Sequence, residues 1–252
     1  MREVLLTAFG VGGATLIGSL IGFLFKNPSQ KTSDVILSFA GGVMLSAAVV
    51  GLIVPSLTYN GKWGALVTAV GVVVGAFCIF IIDKLVPHLH RLNGVEIENH
   101  PKKSESLNKV ILFVIAIAIH NLPEGIAAGV SFGGGNTAHG ISVSVGIALQ
   151  NIPEGMVIIA PMIGCGVSKK RTLLVAFATG VVEIIGTLLG YLFVSISSTI
   201  LPFMLAFAGG TMLYVVSDEM IPQTHSNGNE SLATAWLIIG FLVMLILDFF
   251  IG

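Results

Sequence analysis

Residues 109–131 read KVILFVIAIAIHNLPEGIAAGVS, and residues 138–162 read AHGISVSVGIALQNIPEGMVIIAPM. An apolar run of about 20 residues is long enough to cross a ~30 Å hydrocarbon core as a helix. Both runs carry the same polar insert at their centre: His120-Asn121-Leu122-Pro123-Glu124-Gly125 in the first, Gln150-Asn151-Ile152-Pro153-Glu154-Gly155 in the second. In each insert the first residue and the glutamate are i and i+4, so they share one helix face, with the asparagine beside them. The proline has no N–H, so the carbonyls of Ile119 and Leu149 lose their helical partner and are open to water or to a ligand. The glycine lets the partner helix approach closely.

Working outward, similar apolar runs fill the rest of the chain. The sequence predicts eight spans at roughly 4–25, 34–57, 63–85, 109–131, 138–162, 171–195, 199–221 and 231–251. This is an all-α integral membrane protein, a single transmembrane domain over 1–252. Its one long polar connection, 86–108, lies between helices 3 and 4. Composition agrees: 54% of the 252 residues are hydrophobic and 10% charged, against about 25% charged in a soluble domain. The 31 glycines suit closely packed transmembrane helices. A net charge of −1 gives no ground for a nucleic-acid partner. Cys78 and Cys165 have no CxxC spacing and read as small core residues. No cleavable leader is expected, since the first apolar stretch is too long and lacks an A-x-A site.

Lysine and arginine set the orientation. With the N-terminus placed outside, the outer loops hold only Arg2 and Lys62 of the 12 basic residues. The inner side holds Lys26, Lys31, Lys84, Arg91, Lys102, Lys103, Lys109, Lys169, Lys170 and Arg171. The positive-inside rule then puts both termini outside and the 86–108 loop in the cytoplasm. An internal repeat is also legible. Phe39-Ala40-Gly41-Gly42-Val43-Met44-Leu45 in the second span matches Phe207-Ala208-Gly209-Gly210-Thr211-Met212-Leu213 in the seventh, followed by Pro55 and Pro222 respectively. Those spans cross in opposite directions, so helices 1–3 and 6–8 are expected to form an inverted repeat around helices 4 and 5. Inverted repeats are a transporter signature, with the site near the midplane.

Depth converges on a single level. His120 is 11 residues past Lys109, about 16 Å at the helical rise, or roughly half the core. Glu183 in span 6 and Met44 in span 2 lie at about the same depth, ~18 and ~15 Å from Arg171 and Asp34. Because spans 4 and 5 are antiparallel, Glu124 should sit level with Gln150, and Glu154 with His120. A carboxylate at the centre of a membrane helix costs about 2.5–3.5 kcal/mol, so Glu124, Glu154 and Glu183 together cost roughly 8–10. That rivals the whole stability of a fold, about 5–15 kcal/mol. Lysine and arginine stand only at the ends of the spans, as Lys84, Lys109 and Arg171 do, and none lies at the depth of the glutamates to neutralise them. A divalent cation held between them answers the problem, and imidazole with carboxylate suits zinc and iron.

The paired motif, repeated thirty residues apart, resembles the ZIP (Zrt/Irt-like protein) divalent metal transporters, in particular their GufA-like prokaryotic branch. The likeness extends over the whole chain and includes the Asp218–Pro222 stretch Asp-Glu-Met-Ile-Pro. The resemblance implies uptake of zinc toward the cytoplasm, often with iron, manganese or cadmium, across the cell membrane. It also implies a 3+2+3 helix arrangement, a site for one or two ions, and a homodimer. On it, His120, Glu124, Gln150, Glu154 and Glu183 are the first metal site, with Met44 beside it. Asn121, Glu124, Asn151 and Glu154 form the second, both glutamates bridging. Some relatives have histidine at the Gln150 position and aspartate at the Asn151 position, so this site is less basic and less negative.

Other residues carry less. His88, His90 and His100 read as solvated loop histidines. Asp218, Glu219 and His225 lie at the inner end of span 7, as exit-lining groups or an interfacial cluster. Asp248 and His139 fall near the outer ends of their spans, where no specific role is expected of His139. The competing reading is an intramembrane zinc-dependent hydrolase using an activated water. It is disfavoured because His120-Asn-Leu-Pro-Glu124 is not followed by a second histidine. A metal-gated receptor or channel is a third reading, which the inverted repeat disfavours.

Overall fold

The computed structural model describes residues 1–24, 29–58, 61–85, 118–133, 135–164 and 166–252. The loop with His88, His90 and His100, and the first part of span 4, lie outside the described residues. Among those described, every regular element is helical. The helices are α1 (Arg2–Leu24), α2 (Gln30–Ser56), α3 (Gly64–Leu85), α4 (118–130), α5 (Thr137–Gly164), α6 (Lys169–Ile196), α7 (Leu201–Thr224) and α8 (Glu230–Ile251). Seven are long and apolar enough to cross a membrane; α4, described only from residue 118, falls in the remaining expected span.

Several helices start before their apolar run does, because polar caps lie outside it. Ser29 accepts from the Thr32 N–H at 3.2 Å at the head of α2. Asn136 accepts from the His139 N–H at 3.2 Å at the head of α5. Each such bond satisfies one of the orphan N–H groups of a helix start. Two helices widen: α2 is π-helical over Ala47–Ile53 and α7 over Val216–Met220. In both the widened stretch comes just before a proline, Pro55 or Pro222, whose missing N–H disturbs the ladder.

Glycine sets the helix contacts. A Cβ on Gly18 would lie 2.1 Å from the Ile152 carbonyl oxygen, and one on Gly155 2.2 Å from that of Thr15, so α1 and α5 touch backbone to backbone. The α4–α6 pair does the same, with Gly125 against the Glu183 carbonyl at 2.2 Å and Gly186 against that of Leu122 at 2.7 Å. Gly12 and Gly180 face each other's carbonyls where α1 meets α6. A second set of contacts joins the other helices. Gly42 meets Leu237 and Gly240 meets Phe39 between α2 and α8, while Gly210 meets Val72 and Gly75 meets Phe207 between α7 and α3. Two groups result, α1/α4/α5/α6 and α2/α3/α7/α8, joined mainly where α2 runs along α5.

Burial is inverted relative to a water-soluble protein. Glu124, Glu183, Gln150, Asn151 and Asp34 are buried, while Leu66, Phe77, Ile196, Phe249 and Phe250 are exposed. An apolar exterior of this extent has lipid as its natural solvent.

Candidate metal site between the fourth and fifth helices

The two inserts lie in unbroken helix: α4 continues through Pro123, and α5 through Pro153. Antiparallel register brings them level as expected. Gln150 Nε2 donates to Glu124 Oε1 at 2.8 Å, while Glu154 lies within electrostatic reach of His120. Glu183 enters from α6. Asn151 Nδ2 donates to Glu183 Oε1 and, at 3.3 Å, to the carbonyl of Val11 on α1. Glu124 interacts in turn with both Glu154 and Glu183. Four helices therefore contribute to one polar cluster, and glycine makes this possible, since Gly125 seats α4 directly on the backbone of Glu183.

The cluster is largely buried and incompletely paired. Glu124, Gln150, Asn151 and Glu183 are at most 1% exposed. Glu124 Oε2, Gln150 Oε1, Asn151 Oδ1, Glu154 Oε1 and Glu183 Oε2 are buried with no hydrogen-bond partner among the described residues. Each such atom costs about 1–3 kcal/mol, more when charged. The amide nitrogens of Gln150 and Asn151 are spent on Glu124 and Glu183, so their oxygens are what remains. Apart from the Thr15 hydroxyl beside Glu183, these oxygens face acceptors rather than donors among the described residues, an arrangement that a cation satisfies better than a hydrogen-bonding helix interface does.

The remaining candidates are placed differently. His120 Nε2 lies 2.9 Å from Glu219 Oε1, on the π-helical part of α7. This charge-assisted contact draws the ring toward α7. Accordingly, among the described residues no three His, Cys, Asp or Glu side chains stand together at ligating distance. The convergence is of Glu, Gln and Asn oxygens, with His120 at its edge. Asn121 is buried beside it on α4. Met44 is buried in the apolar core that Ala127 and Ile147 of α4 and α5 also enter.

His225 caps α7: its Nδ1 lies 2.9 Å from the Ile221 carbonyl, and its Nε2 2.9 Å from Thr234 Oγ1 on α8. Asp248 accepts from Ser142 Oγ at 2.8 Å. Two residues matter more than their sequence neighbourhood suggests. Asp34, a depth marker in the sequence, is buried and accepts from Gln30 Nε2, Asn227 Nδ2 and Asn229 Nδ2 at 2.9–3.0 Å. His139 bridges two helices through both ring nitrogens. The only sequence signal for the second was Pro55, four residues beyond the carbonyl that His139 meets.

A sequence model of the family described as ZIP Zinc transporter matches residues 91–248. The chain is 38% identical over 258 residues to "Zinc transporter GufA" of Myxococcus xanthus, with 100% of both chains covered. It is 37% identical to "Zinc transporter ZIPB" of Bordetella bronchiseptica over 95% of this chain and 78% of that one. It is 29% identical to human "Zinc transporter ZIP11" over 99% of this chain and 97% of that one.

Proposed function

Because the chain belongs to the ZIP zinc transporter family and is a multi-pass membrane protein, we propose that it carries zinc across the cell membrane toward the cytoplasm through the cluster between α4 and α5. The observation that carries this reading is the set of five buried oxygens without a hydrogen-bond partner, in a cluster that no lysine or arginine enters among the described residues. Glu124, Gln150, Glu154 and Glu183 hold the ion, with Met44 beside it, and His120 completes the first site by turning from Glu219. Asn121 and Asn151 add the oxygens of a second site, with Glu124 and Glu154 bridging. One or two ions are carried, and iron, manganese and cadmium share the same oxygen-rich path. The zinc is cargo, and the amide and carboxylate ligands, with no thiolate, suit release as well as capture.

The helix pairing supports an inverted repeat of α1–α3 and α6–α8 in a 3+2+3 order. Gly42 and Gly210, like Phe39 and Phe207, hold equal positions in the two Phe-Ala-Gly-Gly stretches and make equal contacts, to α8 in one case and α3 in the other. Transport follows if the α1/α4/α5/α6 group shifts against the α2/α3/α7/α8 group. The basic residues favour termini outside, and the exposed apolar face leaves room for a homodimer. Hydrolysis is the weaker reading, since the site lacks the second histidine and the relatives are named transporters.

Zinc flux into proteoliposomes tests the assignment. Glu124→Ala and Glu154→Ala should each abolish flux while the protein still elutes as a folded species. An unchanged rate in either variant removes that residue from the path.

A further inference from the structure

At the end of the molecule away from most basic residues, His139 sits two residues inside α5 and makes two side-chain contacts. Its Nε2 lies 2.7 Å from the carbonyl oxygen of Gly51, and its Nδ1 3.1 Å from that of Ser131. Both acceptors are backbone carbonyls at places where helix geometry is irregular, one in the π-helical stretch of α2 and one just past α4. Gly51 lies in the widened stretch of α2, four residues before Pro55, which cannot supply it with an α-helical N–H donor. Ser131 lies just past the helical part of α4, where the last carbonyls have no helical donor. One ring thus ties α5 and α4, of one helix group, to the widened stretch of α2, in the other.

Carbonyl oxygens only accept. A neutral imidazole has a single N–H and serves one of the two; the imidazolium has two and serves both. Other titratable groups at this end are Asp248 on α8, which accepts from Ser142, Tyr191 on α6, Lys62 before α3, and Arg2, Glu3 and the terminal amine at the start of α1. None of them is hydrogen-bonded to the ring. The span of α2 between Asp34 and Pro55, α4 after Glu124 and α5 before Glu154 carry no titratable group besides His139.

We propose that His139 is an outer latch between the two helix groups, one that must release Gly51 for the path to open outward and that holds more firmly when its ring carries both protons. Ser142 Oγ to Asp248 Oδ1, three residues further along α5, is a second tie across the same boundary. The latch rests on the transport reading above, because it restrains the motion that reading requires.

The test is zinc flux in oriented proteoliposomes, with the inner pH held at 7 and the outer pH stepped from 8 to 6. Uptake by the parent should fall by about fivefold, the worth of one hydrogen bond. His139→Ala and His139→Gln should flatten that part of the profile and retain flux at pH 8. A parent profile that is flat over this range overturns the proposal without any variant. So does a variant profile as steep as the parent's, or a fall that follows the inner pH instead. Absence of zinc flux in the parent at every pH would instead strike the transport reading itself.

Discussion

Asp34 holds three amide nitrogens, from Gln30 on its own helix and from Asn227 and Asn229 in the connection between α7 and α8. The buried carboxylate therefore fastens the start of α2 to the start of α8 at the inner end of the molecule. Asp34→Ala leaves those donors without their acceptor, and the expected loss is at least about 3 kcal/mol, since hydrogen bonds to charged groups are the stronger kind. Asp34→Asn, which keeps an acceptor oxygen, should recover part of it. Thermal unfolding in detergent reads both. Nothing in the sequence around Asp34 announces this tie, because Asn227 and Asn229 arrive from nearly two hundred residues away. Glu124 and Gln150 were legible for the opposite reason: both lie in a repeated local pattern, and antiparallel register alone sets them level. The turn of His120 toward Glu219 was not legible, since it depends on where α7 widens.

Helices were easy to find by their apolar length, and their contacts follow from glycine. The Thr15 carbonyl stands where a Cβ on Gly155 would go, whereas nothing lies within 4 Å of one on Gly10. Gly155→Ala should therefore force α1 from α5 and cost about 1–3 kcal/mol, the usual penalty for overpacking. Gly10→Ala should be neutral or gain about 0.5–1 kcal/mol through the lower entropy of the unfolded chain. Melting temperatures of the two variants, measured side by side, check the contrast, and the reverse order would contradict the packing described. A close approach at Gly125 and Gly155 was legible from the motif, but it was expected between the two motif helices, whereas Gly125 seats on α6 and Gly155 on α1. The sequence reading missed the π-helical stretches, although Pro55 and Pro222 mark them, because a proline in a membrane helix signals a disturbance without saying which.

At the scale of the whole molecule, polar groups lie inside and apolar groups outside, and composition alone foretold that. A fold whose interior acceptors lack donors should gain stability from the ion that fills them. At a zinc concentration 100 times its Kd the expected gain is about 2.7 kcal/mol. A chelator should reverse it, and Glu124→Ala should blunt it, as read by unfolding temperature. No shift with zinc would mean that the five oxygens of the cluster do not bind the ion in the folded state. Finally, the crossing of Gly12 and Gly180 brings each residue's Cβ position within 2.4 Å of the other's carbonyl oxygen, so main chain meets main chain there. Such a joint behaves like a rivet: it holds α1 and α6 at one angle, and any larger residue at either position acts as a wedge between them.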